Sequence, residues 1–247
     1  MEDELLKRAE DLCARCERTA TVTATAFLTP AEQYAVAAWA KHRADCTILF
    51  HGGHPNCERK AAFFLPFYLA PEDFDASEYL RALRVTAAFG TPGHRDYLGA
   101  LLGLGVHRAW IGDVLVFDNT AYVFCLPSVE PHLRTLEKVG RCGVKTAAVA
   151  LGDVPAPERK TKTVTFTVKS LRFDAAVAGL FGLSRTAAAE YIRAGLASLN
   201  YSECLRTDAP VQAGDMLSLR GYGKGTITEA GGLSRKGRQF ITAALWQ

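Results

Sequence analysis

Lys169-Ser170-Leu171-Arg172-Phe173-Asp174, then Leu183-Ser184-Arg185-Thr186-Ala187-Ala188, then Ile192-Arg193-Ala194-Gly195-Leu196-Ala197-Ser198-Leu199-Asn200, is the stretch in which this chain's fold is most legible. Within Arg172 to Leu180 the apolar residues Phe173, Ala176, Val177 and Leu180 recur at three- and four-residue spacing. They share one face of a short helix and leave Lys169, Ser170 and Arg172 at its polar entrance. Gly182 ends that helix, and Ser184 caps a second one with Ala187, Ala188, Tyr191 and Ile192 as its buried stripe and Gly195 just past its end. The cap puts Arg185 and Thr186 in the first turn, where free backbone N–H groups and the helix dipole favour a phosphate. Arg193 lies about two turns further on and looks out from the same side. Leu196 to Leu199 then alternates, Asn200 suits a turn, and Met216 to Arg220 alternates again after a Gly214-Asp215 turn. Two helices against a small bent sheet are expected.

Charge singles out the same segment. Residues 161–247 hold eleven Lys and Arg against six Asp and Glu, net +5, whereas residues 1–160 are net −2, within a whole-chain balance of +3. A localised cationic surplus is the footprint of a polyanion, though taken alone it equally fits a solvated arginine-rich surface. Gly221-Tyr222-Gly223-Lys224-Gly225-Thr226 extends the basic side as a flexible loop whose aromatic could stack on a base. It is not a P-loop, because Lys224 is followed by Gly225 and the upstream glycine spacing is wrong.

With 247 residues, 49% of them hydrophobic, the chain can hold one large domain or two to three small ones. Met1 to Arg8 is rich in charge, with Glu2, Asp3, Glu4, Lys7 and Arg8 and no apolar leader segment, and no stretch approaches the ~20 apolar residues needed to cross a bilayer. A cytoplasmic protein without a membrane partner is expected. Seven scattered cysteines suit a reducing compartment better than a disulfide framework. Neither a metal nor a cofactor is expected. Cys13 and Cys16 form one pair without a second, and His51, His54 and Cys57 are separated by Gly52, Gly53 and Pro55, which reads as an exposed loop.

Ahead of the basic segment two further units are expected, making an α+β protein. Residues 1–75 read as a small N-terminal α/β domain. An amphipathic helix carries Leu5, Leu6, Ala9, Leu12, Cys13 and Cys16, and a second starts at Thr29-Pro30-Ala31-Glu32, with Thr29 as cap and Pro30 at the first helical position. Cys46 to Phe50 is a strand, and Pro71 to Asp75 a closing linker. Residues 76–155 read as a central RRM-like (ferredoxin-like) α/β sandwich. Its strands are Leu80 to Ala87, Val106 to Ile111, Val114 to Phe117, Tyr122 to Leu126 and Val144 to Leu151; its helices are His94 to Leu104 and Ser128 to Val139. Pro155 to Lys160 is a stiff linker into the C-terminal module, residues 162–247.

Gly93-His94-Arg95-Asp96 could be read as acid–base machinery, but helix capping explains it better, since no nucleophile or metal set accompanies it. Asp113 after Gly112 reads as a turn residue, and Gly99, Gly103 and Gly105 fall short of a dinucleotide fingerprint.

The C-terminal pattern resembles the S-four RNA-binding domain, except that Leu199-Asn200-Tyr201 lacks the glycine usual after the asparagine, so the turn must be built without it. Other stretches carry a wider resemblance: Phe27-Leu28-Thr29-Pro30-Ala31-Glu32; Phe50-His51-Gly52-Gly53 with Glu58-Arg59, Pro66 and Tyr68; and Gly93 to Arg108 with Ile111-Gly112-Asp113-Val114. Together with the C-terminal module they resemble the YlmH family. That resemblance implies a short N-terminal domain, a central RRM-like domain and an S-four domain. It also implies association with the large ribosomal subunit during rescue of stalled translation, contact with peptidyl-tRNA, and a link to cell division.

The expected function is a non-enzymatic RNA-binding factor whose partners are rRNA, tRNA and the large ribosomal subunit, with a protein partner through the N-terminal domain. Lys169, Arg172, Arg185 and Arg193 would clamp phosphates, and Ser170, Ser184 and Thr186 would donate hydrogen bonds. Asn200, Arg220, Lys224, Arg235, Lys236 and Arg238 would widen the face, and Arg95, His107 and Arg108 would form a second contact. The alternative is an RNA-modifying enzyme of the pseudouridine synthase or rRNA methyltransferase kind, for which the first 155 residues look divided into units too small.

Overall fold

Thr29 caps the second helix of the chain by a reciprocal pair: its hydroxyl accepts from the Glu32 N–H at 3.3 Å, and its own N–H donates to Glu32 Oε2 at 2.6 Å. The computed structural model in which this is seen describes residues 2–41, 43, 47–157, 161–235 and 237–246. The chain divides into two compact units, Met1–Pro157 and Glu158–Gln247.

The first unit opens with α1 (Glu2–Thr19), β1 (Thr23–Ala24), α2 (Pro30–Ala40), β2 (Thr47–His51) and β3 (Ala61–Leu65), the strands forming an antiparallel sheet in the order β1-β3-β2. All five residues of β3 are buried because its alternate side chains enter two cores. Ala62 and Phe64 pack with Ala9, Cys13 and Cys16 of α1 and Val36 of α2. Ala61, Phe63 and Leu65 pack with Phe27, Leu80, Ala82 and Phe124. Residues 71–75 are therefore more than a linker, since the Phe74 ring lies 4.7 Å from Phe63 and that of Tyr79 5.6 Å from it. The expected start of β2 at Cys46 lies outside the described residues.

Next come β4 (Arg81–Ala87), α3 (His94–Gly103), β5 (Ile111–Phe117), β6 (Thr120–Cys125), α4 (Glu130–Leu133), β7 (Lys138–Val139) and β8 (Cys142–Val149). Their antiparallel sheet has the order β5-β6-β4-β8-β7, so the four main strands follow the ferredoxin-like arrangement. Tyr97 and Leu101 of α3 and Leu133 of α4 cover one face over Leu83, Val85, Ala121 and Val123.

Two expectations fail here. Ser128 to Val139 is not one helix: a single turn precedes β7, because Gly140, at φ +57°, reverses the chain and pairs Lys138 with Gly143 and Val139 with Cys142. The segment before Ile111 is not extended, because the ring Nδ1 of His107 accepts from the Ala109 N–H at 3.3 Å and caps a 3₁₀ turn over Arg108–Trp110.

The second unit consists of β9 (Thr161–Val168), α5 (Phe173–Phe181), α6 (Arg185–Arg193), β10 (Ala197–Leu199), β11 (Ser202–Glu203), β12 (Met216–Leu219), β13 (Gly223–Leu233) and β14 (Gln239–Trp246). The strands form one antiparallel sheet, β11-β10-β12-β13-β14-β9, whose core against the helices includes Phe173, Val177, Leu180, Ala188, Ile192, Leu217, Ile227 and Ile241. Gly182 at φ +67° ends α5, and the Ser184 hydroxyl accepts from the Ala187 N–H at 3.1 Å. Asn200 and Tyr201, at φ +51° and +67°, build the β10–β11 hairpin without glycine.

The strand β9 is a new element, although Val164, Phe166 and Val168 alternate in the sequence. The expected flexible loop at 221–226 is instead a turn leading into β13. Gly225 sits in that strand because a Cβ there would meet Ala244 O at 2.9 Å and the Leu180 side chain at 3.1 Å.

Candidate nucleic-acid interface

Asp174 organises the basic end of the second unit. It lies in the first turn of α5, an α-helix whose start is tied down by hydrogen bonds from the Phe173 N–H to Ala209 O (2.8 Å) and from the Asp174 N–H to Thr207 O (3.0 Å). The carboxylate is buried, yet Arg172 Nε donates to its Oδ1 at 3.3 Å and Arg185 Nη2 to its Oδ2 at 2.5 Å. One carboxylate thus fixes two guanidinium groups that remain 40% and 55% exposed, so both still offer N–H donors to solvent. Arg172 is the N-cap residue of α5 and Arg185 opens α6, so the pair also holds the two helix starts together. Reading the sequence for cations alone passed over Asp174; its signal was an acidic residue just inside a helix start with arginine two residues before it.

Lys169, Arg185 and Arg238 line one groove of about 380 Å³ beside Phe166, Ala178 and Gly179. The groove is possible because α5 approaches β9 so closely that a Cβ on Gly179 would stand 2.1 Å from the Phe166 ring. Arg238 is steadied by a 2.8 Å hydrogen bond to Thr167 O. The β13–β14 turn carries the exposed Arg235 to this same end of the sheet, since Leu233 pairs with Gln239 and Gln239 with Val168. Lys236 lies outside the described residues. Ser170 and Thr186 are exposed near these cations in the chain, while the Ser184 hydroxyl is engaged in its cap.

Other expected contacts are not gathered there. Arg220 and Lys224 lie at the opposite end of the strands, where they line a second groove with Ser198, Glu203 and Ser218. At ~3.3 Å per residue, β13 puts roughly 30 Å between Lys224 and Leu233. Lys224 Nζ sits 4.4 Å from the centre of the Trp246 ring, a cation–π contact. Arg193 ends α6 two residues before Gly195, which borders that second groove. Tyr222 is partly exposed, with its hydroxyl 3.3 Å from that of Tyr191.

Asn200 is structural. Its amide donates to Asp215 Oδ1 at 2.9 Å and accepts from the Met216 N–H at 3.0 Å, locking the hairpin to the Gly214-Asp215 turn. In the first unit, Arg108 donates to the carbonyls of Ile111 and Gly112 and is half-buried, so burial lowers its pKa; it braces the backbone. His107 serves as the 3₁₀ cap, and Arg95 is exposed in the first turn of α3.

Asp113 is not a turn residue. It sits in β5 where the register with β6 shifts, and its partly buried carboxylate accepts from the backbone N–H groups of Glu58 and Arg59. Burial raises its pKa, against the opposing pull of those two donors. His54 and Cys57 are buried rather than exposed, and the His54 ring stacks 6.3 Å from Phe124. Cys13 and Cys16 point into the helical core, where the Cys16 thiol donates to Phe64 O at 3.2 Å. At Gly93 the capping expectation holds, since its N–H donates to Asp96 Oδ2 at 2.8 Å. Among the described residues no helix is long and apolar enough to cross a membrane.

By its architecture this is an α+β protein in which a ferredoxin-like sheet is followed by a helix-pair module with an ordered cationic end. Residues 71–153 match the sequence model of the family described as "Putative RNA-binding domain in YlmH". The ribosome-associated protein quality control protein P2 of Bacillus subtilis (strain 168) is 32% identical over 220 residues, 88% of this chain and 85% of that protein. The solved structure of the cell division protein ylmH from Streptococcus pneumoniae superposes with a TM-score of 0.53 at 18% identity, covering 63% of this chain and 94% of that one. The chain belongs to the YlmH family.

Proposed function

We propose that this protein is a non-enzymatic RNA-binding factor that docks on the large ribosomal subunit, touching rRNA, peptidyl-tRNA or both, during quality control of stalled translation. The observation that carries the reading is the Asp174-ordered pair Arg172 and Arg185 beside a groove lined by Lys169 and Arg238. Such an array meets successive phosphates with fixed guanidinium forks and reads backbone shape rather than base identity. The name of the Bacillus relative supports the ribosomal setting, and the match over residues 71–153 supports RNA as the ligand.

The double variant Arg172→Glu/Arg185→Glu should lose co-sedimentation with large subunits while keeping its circular dichroism spectrum; undiminished co-sedimentation would overturn the site. The absence of catalysis is checked by mass spectrometry of rRNA from a deletion strain, where a missing modified nucleotide would revive the enzyme alternative. A second reading, a partner at the division site, draws on the name of the streptococcal protein. It predicts localisation that survives the double charge reversal, which microscopy of the tagged variant decides.

A further inference from the structure

Phe67 and Tyr68 follow β3 and stand out from the first unit. Among the described residues Phe67 is the most exposed large apolar side chain, at 95%, and Tyr68 is 63% exposed. A lone surface aromatic needs no explanation, but these two are adjacent and held in place. The Leu69 N–H donates to Pro66 O at 3.0 Å and closes a turn around them, and the Tyr68 hydroxyl donates to Ala20 O at 3.0 Å. Their rings stand nearly perpendicular, 5.6 Å apart. The tip is also rooted in the core. Burial first, then Glu78 and last Tyr68 raise the pKa of Tyr79, which places Tyr79 beside both residues. Phe74 stacks on Tyr79 at 5.4 Å and meets the buried Phe63 at 4.7 Å.

The surroundings of this tip are acidic. Between Pro66 and Leu80 stand four carboxylates, Glu72, Asp73, Asp75 and Glu78, and no Lys or Arg. Two 3₁₀ turns, Pro71–Asp73 and Ala76–Glu78, present them, and all four residues are exposed. The flanking cations are engaged or balanced. Arg81 bonds Ser77 O and lies 3.6 Å from Glu130, and Arg15 and Arg18 of α1 bracket Glu17. An acidic rim decides what can sit on the aromatics. RNA and anionic membranes are repelled, and a second copy of this chain would bring four carboxylates against four. A surface rich in Lys and Arg around an apolar cleft is complementary in both respects.

We infer that the Phe67–Tyr68 tip docks in an apolar cleft of a basic protein of the large ribosomal subunit, with Glu72, Asp73 and Glu78 facing that protein's Lys and Arg side chains. The inference rests on the large-subunit reading and adds a protein contact to it, made by a face that repels the RNA met by the C-terminal unit. A rigid aromatic side chain buries a large apolar area, which is why such residues anchor interfaces.

The test places p-benzoylphenylalanine at position 67 of the full chain and irradiates it with purified large subunits. A cross-link to a basic subunit protein is expected. Cross-links to rRNA alone, or none, from a chain that co-sediments overturn the docking site and leave the C-terminal reading standing. A chain that does not co-sediment overturns both. Affinity for the same subunits gives a second readout. Phe67→Ser and, separately, Glu72→Lys/Asp73→Lys should each weaken binding about tenfold. Tighter binding by Glu72→Lys/Asp73→Lys would reveal an anion under the tip and overturn the proposal, as would equal binding by the parent and both variants. Added salt should shrink the effect of the charge reversal and leave that of Phe67→Ser. All three residues are exposed, so these substitutions leave the core intact.

Discussion

Replacing Asp174 with Asn separates two views of the basic end. If charge alone recruits RNA, removing a carboxylate from beneath two arginines should help. A phosphate about 7 Å away would be relieved of roughly 0.6 kcal/mol in a water-like dielectric, or about threefold in affinity. If Asp174 matters because it holds Arg172 and Arg185 in place, the variant releases two long side chains that must be re-ordered on binding, at about 0.5–1.5 kcal/mol each. The net expectation is a loss of roughly 0.4–2.4 kcal/mol, centred near tenfold, despite a more positive surface.

Stability should fall as well. Both guanidinium groups are more than a third exposed, so each ion pair is worth only about 0.2–1 kcal/mol. The charge at the helix start adds about 0.3–1 kcal/mol. A total near 1–2 kcal/mol corresponds to a drop of roughly 5–15 °C in the melting of the C-terminal unit. Anisotropy titration with a hairpin RNA at several salt concentrations is the assay. The slope of log K against log salt should stay close to that of the parent, because the same phosphates are met. Asp174→Asn binding as tightly as the parent, or more tightly, would refute positioning and leave only the field of the cations.

Gly179→Ala should destabilise the C-terminal unit by about 1–3 kcal/mol, since its Cβ would fall 2.1 Å from the Phe166 ring; an unchanged melting temperature would show that Phe166 yields freely. Asn200→Ala should cost about 2–3 kcal/mol in chemical denaturation, by orphaning the Met216 N–H and Asp215 and by placing alanine at φ +51°. RNA affinity of the folded fraction should be unaffected. Burial first, and then the charge of Lys60, hold the His51 imidazole below its ordinary 6.5. The unfolded chain therefore takes up that proton first, so stability present above pH 6.5 declines as the pH falls below it. Melting curves between pH 7.5 and 5 should show the decline, and His51→Gln should lessen it.

The two C-terminal helices, their glycine and serine punctuation and the glycine-free hairpin were legible in the sequence because their causes are local. Caps act within a turn, and apolar spacing at three and four residues marks a helical face wherever it occurs. The excess of Lys and Arg after residue 160 is likewise a property of composition. Strand register is not local, and there the sequence was silent. The long β13 carries Lys224 and Arg235 to opposite ends of one sheet, so cations that are near neighbours in the chain serve different surfaces. A helix expected over Ser128 to Val139 lost its second half to a strand, since Gly140 lets Val139 pair with Cys142. Asp174 became important only when α5 and α6 packed and brought Arg172 and Arg185 to one carboxylate. Which residues are cations, and where the two capped helices of the C-terminal unit run, was determined by the chain's own composition and spacing. Which cations share a surface was decided by pairing and packing between distant segments, whose free energy depends on contacts that no short window contains.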